Sequence, residues 1–369
     1  MKILMFSADP MILDARSAAA KRMIEYGKRI EKLDILVLTS HLDAGLKNEI
    51  ELAENARIYA LTGKFSRFFK AFFKARSLLK RIKYDLLVAQ DVEHAFLCLL
   101  LSLRFKTAWQ MQIHADIFSL YFARHSFFNK MRIWFAKFLI PRASCIRVVS
   151  QRIKKSILKA QSLQLKANIE VLPILASPIN TDAQPKRFPE FDKNILMVSR
   201  LTSEKNIGLA IDAMAEVVKK HPKTGLVIVG DGPEFKNIKN QISNLKIDEN
   251  VRLEGWRENI ASYYKGSDIF ILTSWYEGWG MSAVEAMRYG AAVVMTDVGL
   301  AGELIEDGKS GLIVPVGDKN ALAAAILRLL ENDSFRRDLI EEAAKKTGEL
   351  FSVEEYYQKI IDSWSRCVG

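Results

Sequence analysis

Apolar runs of a few residues recur along the chain, each followed by a stretch with apolar positions at helical spacing. In the first half the runs at 3–6, 35–38, 86–89, 107–113 and 146–149 predict strands, with 169–172 as a sixth. The pattern restarts at 195–198 and continues at 226–229, 251–253, 269–273, 292–296 and 312–314. Strands alternating with amphipathic helices predict parallel sheets wrapped by helices. Ligands in such sheets bind at the carboxyl ends of the strands. Between the two series lie Pro173, Pro178, Pro185 and Pro189, with little periodicity. The expectation is an α/β protein of two doubly wound, Rossmann-like domains facing each other across a cleft. Residues 1–175 form the first, 176–192 the linker and 193–350 the second. A last helix spans 351–369 and packs back on the first domain. Its start carries Ser352 with Glu355 three residues on, the pattern of a capping box.

Composition adds that 369 residues, 49% of them hydrophobic, can fill two cores. The net charge of +11 is uneven: Lys and Arg outnumber Asp and Glu by 32 to 16 over residues 1–190, but stand at 22 to 27 over 191–369. A basic first half predicts an anionic partner for that half. Cys98, Cys145 and Cys367 show no Cys-x-x-Cys spacing, so no disulfide is expected and the compartment is read as reducing. The N-terminus has no signal-peptide pattern, and the longest uncharged apolar run, 95–103, is too short to span a bilayer. The expected location is cytoplasmic, with contact at the cytoplasmic membrane face. That contact is assigned to two segments. Residues 63–84 hold eight basic residues, no acid, and Phe65, Phe68, Phe69, Phe72 and Phe73. Residues 121–142 interleave Phe127, Phe128, Trp134, Phe135 and Phe138 with Arg and Lys. Such helices either lie on anionic membrane or turn their aromatics into a core; two of them in one basic half favour the membrane.

Candidate chemistry gathers in the second half. In 272–287 a strand end leads to a loop with Glu277, then Gly278 and Gly280, then a helix with Glu285. Eight residues of helix rise about 12 Å, and a helix N-terminus attracts phosphate. The stretch reads as a cradle for something sugar-like at one end and phosphorylated in the middle, or as an ordinary strand-loop-helix unit. After the first strand of this half, Arg200 and Lys205 share a loop from which a guanidinium fork and an ammonium reach a diphosphate. Gly230-Asp-Gly-Pro233 closes the next strand and permits either backbone approach to a ligand or a simple turn. Trp256 either borders a nucleobase or joins the core.

Arg200 with Lys205, Gly230-Asp-Gly-Pro233, Glu277-x7-Glu285 and Gly308-Lys-Ser-Gly311-Leu-Ile-Val-Pro315 come in the order and spacing of one family. As a set they resemble glycosyltransferase family 4, whose fold is GT-B; His114-Ala-Asp116 resembles that family's histidine at a first-domain strand end. The resemblance implies a retaining, nucleotide-sugar-dependent hexosyltransferase of cell-envelope polysaccharide or glycolipid synthesis. It implies that Arg200 and Lys205 neutralise the leaving diphosphate, Glu277 binds donor-sugar hydroxyls and Glu285 the ribose. Gly230, Gly232 and the backbone of Gly280, Met281 and Ser282 belong to the donor site, and His114 touches the donor sugar from across the cleft. No metal or cofactor beyond the donor is expected: Asp-x-Asp is absent and the histidines lack ligand spacing. The chain departs from the family at Ser7-Ala-Asp-Pro10, where many members carry a glycine pair. Asp14, Arg16 and Arg22 are either replacement polar contacts or a solvated helix start, and Asp116 is an acceptor contact or a helix cap.

Two other classes compete. A glycoside hydrolase would use Glu277 and Glu285 as acid and nucleophile. A nucleic-acid-binding module would use the basic half, although no nucleic-acid motif accompanies it. A dehydrogenase is disfavoured because no Gly-x-Gly-x-x-Gly follows a first strand. The expected partners are a nucleotide-sugar, a glycan or lipid-linked acceptor and an anionic membrane, not nucleic acid.

Overall fold

Parallel strands buried on both faces organise each half of the chain. The computed structural model describes residues 1–40, 48–160, 167–176 and 178–369. These divide into two units, Met1–Pro173 with Phe351–Gly369, and Ile174–Leu350.

The first unit carries strands β1 (Lys2–Ser7), β2 (Lys32–Thr39), β3 (Glu49–Ala53), β4 (Ala56–Thr62), β5 (Leu86–Ala89), β6 (Ala108–Ile113), β7 (Cys145–Val148) and β8 (Asn168–Val171). Their order is β3-β4-β2-β1-β5-β6-β7-β8. Helices α1 (Ala18–Lys28), α2 (Ser66–Arg81), α3 (Val92–Phe105), α4 (Leu120–His125), α5 (Phe127–Leu139) and α6 (Gln151–Ala160) connect them. The central strands are continuous apolar runs because helices cover both faces; Ile3, Leu4, Met5 and Phe6 of β1 are all fully buried.

The sequence reading did not include β3 and β4. β3 runs antiparallel at the sheet edge, and Arg57 of β4 pairs with its Glu49 (3.2 Å) and Glu51. As an edge strand β3 is half-solvated and guarded by charge, so it lacks an apolar run; β4 lies inside the sheet and does carry one, Ile58 to Leu61.

Several aromatics of the basic helices point outward. In α2 the buried face is made of Ala71, Ala75, Leu78 and Leu79. Phe65, Phe69 and Phe73 are 73%, 70% and 60% exposed. In and beside α5, Phe127, Phe128 and Trp134 are likewise exposed. The core of this unit is closed by other residues.

The second unit has strands β9 (Lys193–Val198), β10 (Thr224–Val229), β11 (Val251–Gly255), β12 (Ile269–Leu272), β13 (Ala292–Thr296) and β14 (Leu312–Val314). They form one sheet in the order β11-β10-β9-β12-β13-β14, parallel throughout. Its helices are α7 (Ile207–Lys220), α8 (Phe235–Leu245), α9 (Ile260–Gly266), α10 (Met281–Arg288), α11 (Lys319–Glu331) and α12 (Asp333–Gly348). Of the expected linker 176–192, residue 177 lies outside the described residues. The rest is fastened along this unit: Asn180 N donates to Tyr289 Oη (2.7 Å), and Lys186 and Arg187 pair with Glu254 and Asp268.

The last helix, α13 (Val353–Val368), belongs to the first unit. Its capping box is formed by Ser352 and Glu355. Tyr356, Tyr357, Ile360 and Trp364 are buried. Arg147 of β7, itself buried, donates to Tyr356 Oη (3.2 Å), to the Leu172 carbonyl and to Gln112. Ser363 meets Gln110 at 3.1 Å.

The expectation of no disulfide is overturned here. Cys145 of β7 and Cys367 of α13 are bonded across 222 residues. Sequence spacing cannot show this pairing, because packing of α13 on the sheet brings the two thiols together. Cys98 is free and buried, and burial pushes its thiol pKa up.

Alkylation after denaturation should therefore label one cysteine without reductant and three with it, read by intact mass. Three adducts without reductant would remove the disulfide. Cys367→Ser should lower the unfolding temperature of the first unit by roughly 5–15 °C, the scale of a lost native disulfide.

Candidate functional site

Strand order reverses where β9 lies between β10 and β12, and connections leave in opposite directions there. A crevice at the carboxyl ends of β9 and β12 follows from that topology. The loops bordering it are tied to one another by backbone. Leu201 N donates to the Asp231 carbonyl (2.9 Å), and Trp275 N to the Glu204 carbonyl (2.9 Å). Thr273, fully buried at the end of β12, donates its hydroxyl to the carbonyls of Lys205 (2.9 Å) and Asn206 (3.0 Å).

Gly230 and Gly232 owe their identity to this crowding. A Cβ on Gly230 would stand 1.8 Å from the Ser199 carbonyl oxygen, and one on Gly232 2.5 Å from that of Leu201. The two glycines thus let the Arg200 loop descend onto the β10 loop.

Lys205 Nζ sits 2.5 Å from Glu277 Oε1, both side chains mostly buried, and Ser274 Oγ donates to the same oxygen at 2.8 Å. Arg200, 76% exposed, reaches Glu204 at 3.3 Å. Burial pushes the Glu204 carboxyl up, but the Thr202 hydroxyl, backbone and the two flanking cations together hold it below its ordinary value. The two cations therefore flank one carboxylate.

α10 begins at Gly280, whose φ is +104°, and no side chain caps it. The N–H groups of Met281 and Ser282 open the helix there, beside the partial positive charge of its dipole. Close approach under this turn requires Gly299 (φ +54°), where a Cβ would meet the Trp279 carbonyl at 2.3 Å. One turn into α10, Glu285 accepts a hydrogen bond from Tyr264 Oη (2.9 Å). Burial raises its carboxyl above the ordinary value, against the smaller opposing effects of Tyr264 and Arg288. Gly308 to Gly311 closes a turn into β14. Trp256, after β11, is 67% exposed and not core.

The first unit has its own reversal, at β1 between β2 and β5. Ser7 Oγ meets Gln90 Oε1 there at 2.6 Å, and Asp9 caps a 3-10 turn, Pro10–Leu13. His114 follows β6. Its side chain is open to solvent on one side and walled by protein on the others. That desolvation, then the charges of Arg147 and Arg22, hold its imidazole well below its ordinary pKa. Asp116 takes a hydrogen bond from Ser156 (3.2 Å) and sits buried, while Ser119 caps α4. Asp14 and Arg16 pair on the surface.

Of the residues singled out in the sequence, the second unit joins Lys205 to Glu277, with Gly230, Gly232 and Arg200 in adjoining loops. Gly280 to Ser282 and Glu285 share α10, and His114 lies in the first unit. Sequence reasoning passed over Glu204, Tyr264, Thr273 and Ser274. Thr273 and Ser274 immediately precede the Glu277 loop, and a polar pair ending an apolar strand was the available signal. Tyr264 gave none, because its helix is remote from α10 in sequence.

Two family models match the chain: Glycosyltransferase Family 4 over residues 20–173 and Glycosyl transferases group 1 over residues 178–346. Among curated relatives, a poly(glycerol-phosphate) alpha-glucosyltransferase of Bacillus subtilis is 34% identical over 171 residues, 46% of this chain and 25% of that protein. An alpha-monoglucosyldiacylglycerol synthase of Streptococcus pneumoniae is 34% identical over 178 residues, 47% of this chain and 40% of that one. The chain thus spans less than half the length of these relatives. Among solved structures, a sucrose-phosphate synthase from Thermosynechococcus elongatus superposes with a TM-score of 0.82 at 20% identity, covering 99% of both chains. HepE from Anabaena, in complex with UDP, gives 0.76 at 21% identity over 99% of this chain and 100% of its own. At such identities the structural likeness speaks for the fold. With two parallel-sheet α/β units and adjoining matches over both, the chain belongs to the glycosyltransferase family 4-like proteins of GT-B fold.

Proposed function

We propose that the chain is a retaining, metal-independent hexosyltransferase. It moves a hexosyl unit from a nucleotide-diphosphate sugar to a glycan or lipid-linked acceptor in cell-envelope polysaccharide or glycolipid synthesis. The observation that carries this reading is the Lys205–Glu277 contact of 2.5 Å, in the unit whose switch-point crevice also borders the uncapped start of α10. The second unit is the donor domain and the first the acceptor domain.

In this reading the donor diphosphate rests on the N–H groups at Gly280 to Ser282. Lys205 and Arg200 take up the charge that grows on it as the sugar departs. Preplaced charge of this kind stabilises a transition state without reorganisation. Glu277, oriented by Lys205 and Ser274, accepts from sugar hydroxyls. Glu285 keeps one oxygen on Tyr264 and offers the other to the ribose. Gly230 and Gly232 hold the Arg200 loop close. The anomeric carbon–oxygen bond to the diphosphate breaks while the acceptor oxygen bonds to that carbon on the same face. The acceptor's proton passes to the departing diphosphate oxygen. Retention by this route is supported by the engagement of both glutamates, one with Lys205 and one with Tyr264. The exposed aromatics of α2 and α5, set among basic residues, fit an anionic membrane surface where lipid-linked acceptors reside.

Lys205→Ala should cost about 2–4 kcal/mol of transition-state stabilisation, or roughly 30- to 900-fold in turnover. Assayed with EDTA present, the wild type should remain active and NMR should find the donor's anomeric configuration in the product. Wild-type turnover in the mutant, or an inverted product, would sink the assignment.

Because the Glu285 pKa is raised, the residue gains its proton earlier than an ordinary glutamate as pH falls. Donor KM should accordingly climb on the acid side. Glu285→Gln should show a high donor KM with that acid limb removed. A mutant whose KM still follows pH as the wild type does would refute the ribose role.

Replacing Phe65, Phe69 and Phe73 together by Ser should release the protein from anionic liposomes in a sedimentation assay, leaving donor hydrolysis intact. Unchanged pelleting would place the membrane surface elsewhere.

A further inference from the structure

What holds the Glu285 side chain comes from outside its own helix. Its Oε2 accepts from Tyr264 Oη at 2.9 Å, and among the described residues no other hydrogen bond reaches the carboxyl group. Arg288, on the same helix, acts on it through charge alone. A glutamate on a helix surface samples several rotamers, and a ligand that needs one of them must offset the entropy of fixing it. Here Tyr264 fixes the carboxylate beforehand and leaves Oε1 to a ligand.

Tyr264 is itself tightly held. It lies in α9 and is 1% exposed. Its ring meets Phe270 of β12 at 5.9 Å between centroids, and Tyr289 at 5.7 Å and 3° from parallel. Aromatic pairs of this kind add orientation to plain burial. Burial, then the Glu285 charge, holds the Tyr264 phenol well above its ordinary pKa, so its hydroxyl stays a donor.

Tyr289 follows α10 directly and carries the contacts outward. Its N–H donates to the Glu285 carbonyl (3.0 Å), and its hydroxyl accepts the Asn180 N–H at 2.7 Å. The next residue, Thr181, accepts from Lys265 Nζ at 2.6 Å, and Lys265 neighbours Tyr264 on α9. The segment leading into this unit is thus fastened at two successive residues to the two helices that bear Tyr264 and Glu285. Packing alone would need only the two rings. The hydroxyls add a directed chain: Asn180 N–H, Tyr289, Tyr264, Glu285.

We propose that Tyr264 and Tyr289 are positioning residues for Glu285, a relay through which the backbone at Asn180 sets the direction of that carboxylate. The relay rests on the ribose reading for its ligand; its hold on Glu285 does not.

Two measurements on the full chain test it, using Tyr264→Phe, Tyr289→Phe and Glu285→Gln, with Tyr263→Phe as control. Tyr263 shares the helix, but its hydroxyl bonds to Glu254 and Lys186. First, side-chain carboxyls of the ligand-free chain are titrated by carbon-detected NMR, and the signal missing from Glu285→Gln is that of Glu285. The Tyr264 hydrogen bond opposes the upward pull of burial, so Tyr264→Phe should move the Glu285 midpoint to higher pH. Tyr289→Phe should move it the same way by less, and Tyr263→Phe not at all. Second, UDP, ADP and GDP are titrated by calorimetry, each beside its 2′,3′-dideoxy analogue. For the diphosphate bound most tightly, the wild type should prefer the ribose form about tenfold or more, the scale of a hydrogen bond to a charged group. Tyr264→Phe should cut that ratio about threefold or more, the scale of one lost hydrogen bond. A general loosening of the fold would weaken both forms alike and leave the ratio in place. A Glu285 midpoint unmoved by Tyr264→Phe, or a ratio that falls equally in Tyr263→Phe, overturns the proposal. Tyr289→Phe behaving as Tyr263→Phe in both readouts overturns its outer half. If the midpoint moves as expected but the wild type binds both forms alike, the ribose reading fails and the relay stands.

Discussion

The Thr273 hydroxyl, fully buried, holds two backbone carbonyls of a loop that starts seventy residues earlier. Most of the second unit's site depends on that junction. It fixes where Lys205 leaves the backbone, and so lets its ammonium meet Glu277, which enters from the other side of the switch point. Parallel sheets covered on both faces leave no room for polar chemistry along the strands. Function is pushed to the strand ends, and a loop there needs an internal anchor to hold a charge in place. Thr273 supplies the anchor, and the glycines at 230, 232 and 299 remove the Cβ atoms that would keep the loops apart.

The first unit solves a different problem. Its β7 carries a buried cation, Arg147, with no carboxylate against it; carbonyl, amide and phenol oxygens surround it instead. One of these, Tyr356, comes from α13, which the Cys145–Cys367 bond ties to the same strand. The last helix is thus part of the electrostatics of the sheet as well as its packing. Arg147 also contributes to the field that keeps His114 neutral. A neutral imidazole can donate from one nitrogen and accept at the other, the property a hydroxyl-rich ligand calls for.

Charge is arranged with equal care in both units. Around the crevice of the second unit, cations and carboxylates are interleaved, so that Arg200, Glu204, Lys205 and Glu277 hold one another in place. At the strand ends of the first unit, Glu93 pairs with Arg132 and Asp91 sits against His94, while Arg67 Nε is buried with no hydrogen-bond partner among the described residues. The basic excess of the first half is therefore not only a diffuse field. Part of it lies on α2, among outward-facing phenylalanines.

The sequence by itself determined the strand-helix alternation, because strands buried on both faces must read as unbroken apolar runs. It determined the glutamates, the cations and the glycines of the second unit, since their spacing is local to single strand-loop-helix units. It did not contain β3 in legible form, because an edge is half-solvated and its charges hide its period; the short apolar run of β4, Ile58 to Leu61, was legible and was passed over. Only the tertiary structure decided that Cys145 meets Cys367 and that Tyr264 reaches Glu285. The first joins residues 222 apart and the second residues 21 apart on two helices, and no local pattern records such a meeting. The phenylalanines of α2 show the same limit: helical spacing declared a face, and packing of Ala71, Ala75, Leu78 and Leu79 decided that it is the outer one.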